Sequence, residues 1–193
     1  MRIGLRDLHI APITVADNGV ETYGKPRRLA KAIQADLAPQ SAEATLYADD
    51  AIDAIVKEFS GGTLTTGLND LTPDMQALIL GQTQDSEGVV YAGGSDEPPY
   101  FAVAFRARRA DGLYRYVWLY KVKFAIPTEN HATKGSSITF QTPQITGSFI
   151  KRPDGLWKAD WTGSPKDPVA LAWFDGVREP NFDDDSDPDG MGL

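Results

Sequence analysis

The stretch Tyr100-Phe-Ala-Val-Ala-Phe-Arg-Ala-Arg-Arg-Ala-Asp-Gly-Leu-Tyr-Arg-Tyr-Val-Trp-Leu-Tyr-Lys-Val-Lys-Phe124 decides the fold class, because its apolar residues recur at every second position on both sides of Asp111-Gly112. That is the period of a strand, not of a helix. Asp-Gly between two such runs is a strong hairpin signal, and a two-residue type I′ turn there pairs Ala110 with Leu113, Phe105 with Trp118 and Val103 with Tyr120. This register predicts a core face on which Phe101, Val103, Phe105 and Ala107 meet Tyr114, Tyr116, Trp118, Tyr120, Val122 and Phe124. It predicts a solvated opposite face collecting Arg106, Arg108, Arg115, Lys121 and Lys123.

Outward from this hairpin the pattern repeats in weaker form. Arg152-Pro-Asp-Gly155 fits a type I turn followed by a bulge, with arms at about Ile145–Lys151 and Leu156–Trp161. Between Ile138/Phe140 and Ile145/Phe149 the apolar parity changes across Pro143, which cannot donate a ladder bond, so a bulge or edge is expected. Leu29, Ile33, Ala35 and Leu37 alternate up to Pro39, and Ala44–Tyr47 reads as a further strand after a turn at Ala38-Pro-Gln-Ser41. Residues 49–59 support two readings, helical spacing of Ile52, Ile55, Val56 and Phe59 or a strand through Gly61-Gly62; Asp49–Ile55 is taken as a loop. Thr72-Pro73 with Gly81 beyond, and Asp167-Pro168 with Gly176 beyond, punctuate two short helices. The expectation is a mostly β (α+β) domain of two packed antiparallel sheets, a sandwich or barrel with one or two short flanking helices.

The chain has 193 residues, 41% of them hydrophobic, with no cysteine, two histidines and a formal charge of −8. This length buries an adequate core without staples. The lack of cysteine excludes disulfides, thiolate nucleophiles and cysteine-ligated metals. The longest apolar runs, such as Val169–Phe174, fall far short of the roughly 20 residues of a membrane helix, so no membrane association is expected. Charge is uneven: residues 175–193 carry seven acids against Arg178, a net −6 that leaves −2 for residues 1–174. The division expected is a β domain over 1–177 and an acidic, disordered tail over 178–193. An acidic balance opposes gripping phosphate backbones but permits letting DNA slide past.

No motif carries catalysis. Gly61-Gly62 and Gly93-Gly94 lack the spacing and following helix of a phosphate loop. Asp185-Ser-Asp-Pro-Asp-Gly190 begins like a calcium loop but lacks its twelfth-position glutamate. Asp49-Asp50 beside Asp53 is an acidic cluster suited to a loop, and neither His9 nor His131 accompanies a nucleophile motif. The basic face has its aromatics on the opposite side, the wrong phase for base stacking. Trp157 and Trp161, four apart, would share a strand face as a sugar platform or, more simply, as core. No cofactor or metal is expected.

Gly4-Leu-Arg-Asp-Leu-His-Ile-Ala-Pro-Ile-Thr14, Tyr23-Gly-Lys-Pro-Arg-Arg-Leu-Ala-Lys-Ala-Ile33, Leu46-Tyr-Ala-Asp-Asp50 followed by Phe59-Ser-Gly-Gly-Thr-Leu64, and Arg152-Pro-Asp-Gly-Leu-Trp-Lys-Ala-Asp-Trp161 together resemble the major tail tube proteins of long-tailed, non-contractile phages. The resemblance implies a non-enzymatic virion protein, made in the bacterial cytoplasm, whose hexameric rings stack into a tube that passes DNA without binding it specifically. Implied partners are further copies of the chain, a tape-measure protein, a tail terminator and baseplate or distal tail proteins. It further implies that the loop carrying Tyr47, Asp49, Asp50, Asp53 and Glu58 reaches a neighbouring subunit or ring. Strand alternation makes Gln34 and Asp36, opposite Ile33 and Leu37, the candidates to face the lumen. The alternatives are a β-sandwich module binding carbohydrate or a host surface through Trp157, Trp161 or Tyr114, and a related tail terminator or connector.

Overall fold

The computed structural model describes residues 1–48, 51–128, 133 and 142–181. Among them the chain runs β1 (Arg2–Val15), β2 (Glu21–Tyr23), β3 (Arg27–Ala30), β4 (Ala32–Ala48), β5 (Ala51–Leu68), α1 (Pro73–Leu80), β6 (Thr83–Gln84), β7 (Val90–Tyr91), β8 (Tyr100–Arg109), β9 (Tyr114–Phe124), β10 (Gln144–Phe149), β11 (Lys158–Gly163) and α2 (Pro168–Leu171). Nine strands form one antiparallel sheet along the path β2-β1-β8-β9-β10-β5-β4, with β3 also on β1 and β11 also on β9; β6 and β7 pair separately. The mostly β architecture with two short helices is as expected.

The ends of the long sheet meet through the chain itself. β3 pairs with β1, then runs through Lys31 into β4, which pairs with β5. Lys31 N–H donates to Asn69 Oδ1 at 3.1 Å and Asn69 N–H donates to the Lys31 carbonyl at 2.9 Å, holding that corner. The sheet thereby curls around one interior that takes Leu8, Ile10, Leu64, Leu68, Phe101, Leu119, Ile145 and Phe149. Ile79 and Leu80 of α1 enter the same interior, and the helix stops at Gly81 in the left-handed conformation (φ 70°).

The central strands are buried on both faces. Ala11, Ala102, Ala104, Tyr116 and Trp118 point outward into a second cluster covered by Ala170 and Trp173, where Trp118 Nε1–H donates to the Trp173 carbonyl at 3.0 Å. The one-turn helix α2 therefore acts as a lid for large aromatics.

The 100–124 hairpin forms, but one residue out of the expected register. Phe105 faces Val117, Ala104 faces Trp118 and Val103 faces Leu119. The turn is the cause: Arg109 N–H donates to the Leu113 carbonyl and Gly112 N–H to the Arg109 carbonyl, with Gly112 at φ 84° and Asp111 not at positive φ. This is a three-residue type I turn with a glycine bulge, whereas type I′ needs both central residues at positive φ. The extra residue moves Tyr114, Tyr116 and Trp118 to the outer face beside Arg106 and Arg108, and moves Arg115 to the face of Val117. The expected separation of cations from aromatics is overturned.

The Arg152–Gly155 turn repeats the same bonding, Arg152 N–H to the Leu156 carbonyl at 2.7 Å and Gly155 at φ 86°. Its flanks do not pair as a hairpin. β10 and β11 lie end to end along β9, opposite Val122–Phe124 and Tyr114–Leu119 respectively.

β4 and β5 correct two further expectations. β4 is one strand through Ala38–Ser41, not two strands and a turn; as the last strand of the path it leaves Pro39 no lost partner on its open side. β5 is a strand from Ala51 onward, so residues 51–55 are not a loop. Ile138, Phe140, His131 and the Asp185–Gly190 run lie outside the described residues.

Candidate functional site

Beyond the barrel, β4 and β5 continue as a two-stranded ribbon, paired from Ser41 opposite Phe59 to Ala48 opposite Ala51. The ribbon begins where the sequence changes character. Leu37 and Leu64, opposite each other, are the last pair that packs on the core, and from Gln40 to Leu46 every side chain is exposed. Phe59 anchors its root by stacking on Trp157 at 4.7 Å between ring centroids and on Phe149 at 6.0 Å. At the same root Gly61 adopts φ 134° and Gly62 lies against Phe149, where a side-chain carbon would collide with the ring and come within 2.7 Å of the Ala38 carbonyl. Those constraints account for Phe59-Ser-Gly-Gly-Thr-Leu64 in physical terms.

The pairing gives the ribbon two unlike faces. Ala42, Ala44, Leu46, Ala54, Val56 and Glu58 lie on one; Glu43, Thr45, Ile55 and Lys57 lie on the other, with Lys57 Nζ 2.9 Å from Glu43 Oε2. Leu46 is 58% exposed and Val56 55%. A two-stranded ribbon is marginal in water, and among the described residues its apolar face is uncovered and its β4 edge unpaired.

Of the residues expected to form the reaching loop, Tyr47 lies in β4, Asp53 and Glu58 lie in β5, and Asp49 and Asp50 lie outside the described residues. The segment is thus a paired ribbon where a loop was expected. Gln34 and Asp36 share one exposed face of β4, and the Gln34 amide donates to the Asp36 carboxylate. Ala35 and Leu37 pack inward as alternation requires, but Ile33 sits at a register shift and is 56% exposed.

The other sequence candidates disperse. His9 stacks on Phe174 at 4.5 Å, and its Nδ1 lies 2.9 Å from the Asp7 carbonyl. Trp157 belongs with Phe59 and Phe149, whereas Trp161 packs on Tyr116 and Trp173, so the two indoles form no common platform. A cleft of about 1010 Å³ is lined by Gln34, Asp70, Gln76, Thr128 and Gln144 among others. Among the described residues no group of three or more His, Asp or Glu could hold a metal ion, and no helix is long and apolar enough to cross a membrane.

Alternation alone missed the outer face. Arg6 stands opposite Arg106, Arg106 opposite Tyr116 and Arg108 opposite Tyr114, so cations and aromatics share a surface. Arg106 lies over the Tyr114 ring at 4.9 Å, and its Nε donates to Asp7 Oδ2 at 2.6 Å. Asp7 itself occupies the left-handed region (φ 58°) at the bulge of β1, a conformation that aspartate tolerates better than most residues.

No protein-family profile matches the sequence, and no curated protein matches it. Among solved structures the chain is similar to a chain of the anti-feeding prophage baseplate, determined by cryo-EM with six-fold symmetrisation. The two share 9% identity at a TM-score of 0.34, over 85% of this chain and 96% of that one.

Proposed function

We propose that the protein is a non-catalytic structural subunit of a phage-type tail and that it serves as the major tube protein, closing into hexameric rings that stack around a DNA channel. The observation that carries this reading is the β4–β5 ribbon, which among the described residues is exposed on both faces, apolar on one, and unpaired along the β4 edge. Pairing between the sheets of neighbouring copies removes that edge, and laying the ribbon on an adjacent copy covers Leu46 and Val56. A heterologous contact that closes a ring leaves the ring's two end faces free, and a head-to-tail contact between those faces continues until another protein stops it; a tape-measure protein and a terminator are the partners this requires.

In that assembly Gln34 and Asp36 line the channel, where carboxylates keep phosphates from lodging within a screening length of about 10 Å. Asp36→Lys should leave assembly intact and slow DNA passage; unaltered ejection kinetics in phage carrying it would remove Asp36 from the lumen.

The deciding experiment is negative-stain microscopy of the purified protein over a concentration series, with light scattering on the same samples. Tubes or stacked six-fold rings are the expected result. Single closed rings that never stack would favour a terminator or connector, and a monomer at every concentration would overturn the assembly reading.

A further inference from the structure

We propose that the acidic segment 182–193 docks on the outer face of its own chain, against the arginine cluster of Arg6, Arg28, Arg106 and Arg108. The cluster is a product of the β1–β8–β9 register. Arg6 and Arg106 are cross-strand partners, Arg108 follows on the same face, and Arg28 enters from β3 opposite His9. Asp7 is the acid among them, held by Arg106 at 2.6 Å and 4.0 Å from Arg28. Two of the four guanidinium groups pair with Asp7, so the four arginines and that one carboxylate leave an excess of three positive charges on this face in a chain whose net charge is −8. Arg6 and Arg108 are exposed and make no ion pair among the described residues.

Charge and reach both point to residues 182–193 as the occupant. The segment holds Asp183, Asp184, Asp185, Asp187 and Asp189 and no cation. The preceding chain is fastened to the barrel: Tyr120 O–H donates to the Arg178 carbonyl at 2.7 Å, and Arg152 Nη2 lies 3.5 Å from Glu179 Oε2. From Tyr120 to Tyr114, beside Arg108, β9 spans about 20 Å at ~3.3 Å per residue. The acidic segment can extend about 40 Å, enough to lay its aspartates across the cluster. Tethering on that scale gives an effective concentration in the millimolar range, so modest pairwise attraction suffices. Arg106 lies over the Tyr114 ring, and guanidinium groups suit carboxylates because they donate in a planar fork and are weakly hydrated.

The chain has no cysteine, so a pair can be introduced for spin labels: Ala110→Cys on the turn beside Arg108, and Gly190→Cys in the acidic segment. Electron–electron distance measurements on doubly labelled chains, diluted with unlabelled chains, separate contact within a chain from contact between chains. The expected result is a short, narrow distance population at ~0.02 M salt, lost at ~0.5 M salt where screening is nearly complete. The same loss is expected in the Arg6→Glu/Arg108→Glu variant at low salt, with an unchanged melting temperature showing that the barrel is intact. A broad distribution at both salt concentrations, or one indifferent to the charge reversals, overturns the proposal. A short distance that disappears on dilution instead assigns the contact to a neighbouring copy and overturns docking within the chain.

Discussion

Single residues in this protein are constrained most tightly where two chains of packing meet. Gly62 sits between the Phe149 ring and the Ala38 carbonyl, with no room for a side-chain carbon. Gly62→Ala should cost about 1–3 kcal/mol through overpacking and lower the melting temperature by roughly 2–10 °C, read by thermal unfolding. Tyr23 is held otherwise. Burial pushes its hydroxyl up to about 12, with Arg152 pulling the other way and Glu179 and Glu21 adding to the rise. An unfolded tyrosine ionises near pH 10, so the folded state keeps its proton where the unfolded state has lost it. The stabilisation from neutral Tyr23 is therefore complete below about pH 10 and is lost as pH rises towards 12. The melting temperature should fall across that window, and less steeply in Tyr23→Phe; equal slopes would rule out Tyr23 as a contributor.

Elements here are defined by how their ends are made. The turns at Ala16–Val20, Asp85–Val89, Arg109–Leu113 and Arg152–Leu156 share one bonding pattern, each with a glycine in its fourth place at φ between 79° and 87°. Reading Asp111-Gly112 as a two-residue turn was enough to find the hairpin and enough to displace its register by one, because a three-residue loop of the same sequence satisfies the same glycine. In a sheet of period two that slip exchanges the faces, which is why Tyr116 and Trp118 lie with Arg106 on the outer side. The ribbon is the element on which the proposed assembly depends. Leu46→Asp together with Val56→Asp changes exposed positions, so the melting temperature of the isolated chain should hold within about 0.5 kcal/mol equivalent. The same variant should fail to form tubes under conditions where the parent does, and normal tubes would show that the apolar ribbon face is not covered in them.

At the scale of the whole molecule the sheet separates two cores, an inner one closed by the β3–β4 corner and an outer one closed by α2 and Trp173. Trp173 is 3% exposed and packs on Tyr116 and Trp161. Trp173→Ala should cost about 3–5 kcal/mol, lowering the melting temperature by on the order of 10 °C in thermal unfolding. What the sequence determined by itself is whatever rests on local chemistry. Period-two alternation marked the strands, proline marked the start of both helices and glycine the end of α1, and the charge count separated the nearly neutral body from the acidic end, whereas α2 stops at Leu171, well short of Gly176. Tertiary structure decided the rest because those outcomes depend on partners far along the chain. β4 passes through Pro39 because β5 supports it on one side and its other edge stays open, and β10 and β11 share β9 instead of pairing with each other. The arginine face exists only because the bulges and turns of three strands set Arg6, Arg28, Arg106 and Arg108 on one side, a register that no local pattern specifies.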